Sequence, residues 1–100
     1  MKEMKITSQN LNEIKNSPTV LLDFYADWCG PCKMLSPVIS EIADERADVK
    51  VGKINVDEEN DLAREYNIYS IPTLVVLKDG KEVKRATGAR PKSSILALLD

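Results

Sequence analysis

Cys29 and Cys32 stand two residues apart in the segment DFYADWCGPCKM, directly after an apolar run and around a Gly-Pro pair. Three chemistries suit such a spacing: a structural staple, half of a metal site, or a dithiol that opens and closes. As a staple the pair is weak, because closing a four-residue loop restrains the unfolded chain by only about 2 kcal/mol. A zinc site needs four ligands, and one cysteine pair in a chain with no histidine supplies two. Carboxylates can complete such a site, but no acidic spacing in the sequence predicts one. The absence of histidine also removes Cys-His and Ser-His nucleophile schemes. Any proton acceptor must be another group.

The redox reading fits the local physics better. An apolar strand, TVLLDFY over 19–25, precedes the cysteines, and an amphipathic helix follows from about Pro31 to Arg46. In that helix Leu35, Val38, Ile39, Ile42 and Ala43 make one apolar stripe. Pro31 is tolerated in the first turn, where its missing N–H would have no partner. Cys29 then sits at the cap, where first-turn N–H groups and the positive end of the helix dipole favour a thiolate. Cys32, one turn in, is expected to be more buried and less ionised. On this reading Cys29 attacks and Cys32 resolves.

Other elements must hold the pair in place. MKI near Met4 reads as a short edge strand, and SQNLNEIKN as a short helix capped by Ser8. Residues 49–56 read as a strand and DEENDLAREYNI as a helix. The strand from Thr73 turns at Asp79-Gly80 into KEVKRA, and KSSILALLD closes as a helix. The order βαβαβαββα implies an α/β fold, a mixed sheet with helices on both faces. One hundred residues is the size of one domain, so residues 1–100 are expected to form a single unit.

Bulk properties narrow the function. A composition of 43% hydrophobic and 30% charged residues is that of an ordinary globular protein, and a net charge of -2 argues against bulk attraction to nucleic acid or to an anionic membrane. The longest aliphatic run, LVVL, is too short to span a bilayer, and the N-terminus has no apolar signal segment. A cytoplasmic location is expected, and in that reducing compartment paired cysteines are more often catalytic or metal-binding than structural.

WCGPC at 28–32 resembles the active-site segment of the thioredoxin family. The similarity continues through LLDFYADWCGPCK, KINVD at Lys53, IPT at 71–73, KDGK at Lys78 and TGA at Thr87, nearly the whole chain in the right order. Tyr25 departs from it, standing where the family often carries a second tryptophan. The resemblance implies a four- to five-stranded mixed sheet flanked by about four helices, and a cis peptide at Ile71-Pro72. It implies reduction of protein disulfides through a reversible Cys29/Cys32 disulfide, with electrons from a thioredoxin reductase and no bound metal or organic cofactor. It also implies that an extended substrate segment pairs with backbone beside Pro72. A monomer is expected.

Around Cys29, the residues Trp28, Gly30, Pro31, Ile71, Pro72, Gly88 and Ala89 are expected to form a small uncharged platform. Trp28 can alternatively be core, and Gly88 can merely relieve a bulge. Asp23 interrupts an apolar strand, where burial would raise its pKa and fit it to accept a proton. The plainer alternative is a solvated strand end. Lys53 shares strand parity with Val49 and Val51 and is expected to point inward, near Asp23. The expected roles are Asp23 accepting the proton of Cys32 through a water, with Lys53 tempering its basicity.

Overall fold

The computed structural model describes residues 2–100. Its elements are β1 (Met4–Lys5), α1 (Leu11–Ile14), β2 (Val20–Tyr25), α2 (Gly30–Glu45), β3 (Lys50–Asn55), α3 (Asn60–Glu65), β4 (Thr73–Lys78), β5 (Lys81–Thr87) and α4 (Lys92–Leu99). This is the order expected from the sequence. The five strands form one sheet in the order β1-β3-β2-β4-β5. β1 and β2 flank β3 in parallel, while β4 runs antiparallel to both β2 and β5.

Strand periodicity divides the core into two layers. Side chains alternate across a strand, so Val20, Leu22 and Phe24 pack on the face covered by Leu11 and Ile14 of α1 and Leu62 of α3. Leu21, Val51, Leu74 and Val76 pack on the opposite face beneath Leu35, Ile39 and Ile42 of α2 and Ile95 and Leu99 of α4. Central β2 and β4 carry apolar residues on both faces and therefore read as nearly unbroken hydrophobic runs. Edge strand β5 is exposed except at Ala86, and its Lys81 and Lys84 discourage pairing with other chains.

The hairpin follows its turn chemistry, with Asp79 and Gly80 both at positive φ, 52° and 85°. Two local readings change. α1 begins after Asn10, not at Ser8. Asn10 Oδ1 accepts the Thr7 N–H at 2.8 Å and its Nδ2 donates to the Lys5 carbonyl, whereas the Ser8 N–H is held by Glu59 Oε1. α3 is shorter than the DEENDLAREYNI segment because Asn55 captures its first residues in a turn: the Asp57 N–H donates to Asn55 Oδ1 and the Glu59 N–H to its carbonyl.

Candidate active site

β2 ends at Tyr25 and the chain passes through Ala26, Asp27 and Trp28 to Cys29, the N-cap of α2. Cys29 is extended, with φ -89° and ψ 111°, and its Sγ accepts the Cys32 N–H at 3.2 Å. The expected cap geometry is therefore present, with the helix starting at Gly30, one residue before Pro31. Cys29 and Cys32 are joined by a disulfide across a Cα–Cα distance of 5.2 Å. Burial does not distinguish them as expected, since they are 5% and 4% exposed. A disulfide ties the two sulfurs to one depth. They differ instead in the hollow each one faces.

Cys29 lines a groove of about 500 Å³ with Trp28, Gly30, Pro31, Ile71, Val56, Ile68, Tyr69 and Ser70. Trp28 is 70% exposed, not core, because its indole Nε1 donates to Asp57 Oδ2 at 2.8 Å and the ring lies on the surface. Cys29 Sγ lies 4.0 Å from the Ile71 carbonyl oxygen. The Ile71-Pro72 peptide is cis. Thr73 Oγ1 donates to the Ser70 carbonyl at 2.7 Å and so closes the loop that carries Ile71 and Pro72.

The platform is only partly assembled around the sulfur. Trp28, Gly30, Pro31 and Ile71 share the groove with Cys29, while Pro72 is buried behind it. Gly88, at φ 93°, donates its N–H to the Pro72 carbonyl at 2.8 Å, and the register irregularity of the hairpin lies elsewhere, at Val76/Leu77. Ala89 faces a different hollow, with Met34, Leu35, Val38 and Arg90.

Cys32 opens on the other side, into a hollow of about 490 Å³ lined by Tyr25, Ala26, Asp27, Lys33, Ser36 and Lys53. Asp23 and Lys53 are register partners in the parallel β2/β3 pair, which puts both on the α2 side of the sheet. Asp23 is 1% exposed, not a solvated strand end, and its Oδ1 has no hydrogen-bond partner among the described residues. Burial pushes its carboxyl pKa up to about 6, against the pull of the Lys53 charge. The Lys53 ammonium donates to Ser36 Oγ at 2.7 Å and stands 4.6 Å from the centroid of the Tyr25 ring. Among the described residues no group of three or more His, Cys, Asp or Glu side chains is placed to hold a metal ion, and no helix is long and apolar enough to cross a membrane.

Sequence reasoning missed Ser36, Asp57 and Tyr69. Ser36 carried a signal, because it follows Cys32 by four residues on a helix and must share its face. Asp57 and Tyr69 lie in connections whose placement no periodicity encodes.

A family model for Thioredoxin matches residues 2–100. The chain belongs to the thioredoxin family. It is 44% identical over 98 residues to a thioredoxin of Bacillus subtilis, covering 97% of this chain and 94% of the relative. It is 43% identical over 95 residues to a thioredoxin of Chlamydia caviae, covering 95% and 93%. Among solved structures, a point-mutant thioredoxin from Halobacterium salinarum superposes with a TM-score of 0.92 at 38% identity, covering 98% of this chain and 88% of that one. The activity is dithiol–disulfide oxidoreduction, and the family implies a thioredoxin reductase and disulfide-bearing proteins as partners.

Proposed function

We propose that Cys29 is the attacking sulfur and Cys32 the resolving one in the reduction of protein disulfides. The observation that carries this is the position of Cys29: its sulfur caps α2, accepts the Cys32 N–H, and borders the groove. The same N–H and the helix dipole stabilise negative charge on that sulfur once the disulfide is opened. The Cys29 thiolate attacks one sulfur of a substrate disulfide, and the other sulfur leaves as a thiolate. Cys32 then loses its proton and attacks Cys29 Sγ, breaking the mixed disulfide and releasing the second substrate thiolate. The substrate gains two electrons and the Cys29–Cys32 disulfide forms. A reductase returns two electrons to reopen it, and one proton taken up at Cys32 restores the Cys29 thiolate and the Cys32 thiol.

Asp23 is the acceptor of the Cys32 proton, through a water on the α2 side of the sheet, with Lys53 tempering its basicity. A buried carboxylate without a hydrogen-bond partner on Oδ1 supports this role. Trp28, Gly30, Pro31 and Ile71 form the contact surface for an extended substrate segment, with Pro72, Gly88 and Ala89 shaping its flank. Residues 1–100 act as one domain, a reading supported by a radius of gyration of 12.0 Å, close to the ~13 Å of a compact chain of this length. The protein works as a cytoplasmic monomer with no bound cofactor, nucleic acid or membrane partner.

Alkylation of the reduced protein as a function of pH tests the assignment. Cys29 is expected to react with a midpoint well below the ordinary thiol value of about 8.5, and Cys32 much more slowly. A Cys32→Ser variant should accumulate mixed disulfides through Cys29, and a Cys29→Ser variant should not. Two thiols ionising alike, like free cysteine, would overturn the assignment.

A further inference from the structure

We propose that Ser36 is a positioning residue whose hydroxyl holds the Lys53 ammonium against Tyr25 and withholds it from Asp23. The inference rests, for its kinetic consequence, on the proposed role of Asp23 as proton acceptor. Asp23 and Lys53 are opposite one another in the β2/β3 register and project toward the same helix. A lysine there is the obvious partner for a buried carboxylate, because pairing would offset the cost of burying an unpaired charge. Yet Asp23 Oδ1 has no hydrogen-bond partner among the described residues, and the ammonium goes to Ser36 Oγ at 2.7 Å, with the Tyr25 ring 4.6 Å from it.

Ser36 can intercept the lysine because it is one helical turn beyond Cys32 on α2. Both residues line the hollow that Lys53 enters. A hydroxyl is a neutral acceptor, so it orients the ammonium without cancelling its charge. Lys53 thus lowers the Asp23 pKa through space but does not pin the carboxylate in an ion pair. The groups around this arrangement are few. α2 contributes Cys32, Lys33 and Ser36, β3 contributes Lys53, and β2 and the turn after it contribute Tyr25 and Asp27. From β4 the register partner of Asp23 is the apolar Leu74. Glu3 also lies in the field of Lys53, and its carboxylate accepts a hydrogen bond from Ser40 of α2.

Without the hydroxyl the ammonium is free to turn to Asp23, and a charge brought into contact lowers a carboxyl pKa further. The test is the titration of the Asp23 carboxyl carbon, followed by NMR in the disulfide form of the protein. Ser36→Ala should lower the midpoint by about half a unit to one unit, and Ser36→Thr, which keeps the hydroxyl, should restore it. In a Lys53→Met background, Ser36→Ala should move the midpoint no further. An unchanged or raised midpoint in Ser36→Ala, or the same downward shift without Lys53, would overturn the inference.

Kinetics separate it from the reading beneath it. The acid limb of the rate at which Cys32 resolves a Cys29 mixed disulfide should follow the Asp23 midpoint to lower pH. If the midpoint moves while this limb stays fixed, Ser36 positions Lys53 as stated, and the assignment of Asp23 as proton acceptor fails.

Discussion

Asp23 is held in its neutral form to unusually high pH by the burial around it. In the unfolded chain its pKa is about 3.8, and in the fold about 6. The folded state therefore keeps its proton over a range in which the unfolded state has lost it, and stability falls as pH rises from about 4 through about 6. A gap of about two units corresponds to about 3 kcal/mol lost by neutral pH. Asp23→Asn should remove this dependence. Denaturant unfolding at pH 4 and pH 8 should show the variant about 2 kcal/mol more stable than the parent at the higher pH and nearly equal at the lower. A stability difference that does not change with pH would refute the buried ionisation. In single-turnover kinetics the same variant should release a mixed disulfide more slowly while forming it at the parental rate. A residue that lowers stability at working pH yet faces Cys32's side of the sheet is what a functional group looks like in a core.

Among the elements, α2 and β3 impose opposite demands on their glycines. Gly52 lies between β1 and β2 in the sheet, and a Cβ built there would meet Ile6 Cγ1 at 2.5 Å and the methyl groups of Ile14 and Leu22 at 3.2 Å. Gly30, the first residue of α2, has nothing within 4 Å of such an atom. Gly52→Ala should therefore destabilise by about 1–3 kcal/mol through overpacking against Ile6, Ile14 of α1 and Leu22 of β2, and Gly30→Ala by less than about 0.5 kcal/mol. Chemical denaturation of both variants checks the contrast, and equal costs would show that the Ile6 side chain yields to make room. Packing thus requires the glycine of β3 and does not require Gly30, which lines the groove.

At the scale of the whole molecule, the two apolar layers share their central strands. β2 sends Val20, Leu22 and Phe24 to one layer and Leu21 to the other, and β4 divides Val75 and Leu77 from Leu74 and Val76 in the same way. Neither layer can come apart without unpairing strands that support the other. Unfolding should accordingly be one transition, with equal calorimetric and van't Hoff enthalpies and superimposable near- and far-UV circular dichroism curves. Two resolved transitions would mean that the layers are separate cooperative units. The active site gains from this coupling, since Cys29 leaves the end of β2, Pro72 leads into β4 and Gly88 leaves β5.

Element order, the cap position of Cys29 and the inward direction of Asp23 and Lys53 were legible in the sequence because each follows from local rules: periods of two and 3.6, turn chemistry, and the preference of proline for a first helical turn. The cis peptide and much of the platform followed from family resemblance alone. The start of α1 differs from the Ser8 cap that the sequence suggests because the Asn10 side chain hydrogen-bonds to the chain preceding it and the Ser8 N–H donates to Glu59, far along the sequence. The position of Trp28 on the surface depends on Asp57, 29 residues away, and the isolation of Asp23 depends on Ser36 drawing off its neighbour. Such contacts depend on which side chains the fold brings within hydrogen-bonding reach of one another. That is settled by the packing of helix against sheet, and no spacing along the chain encodes it.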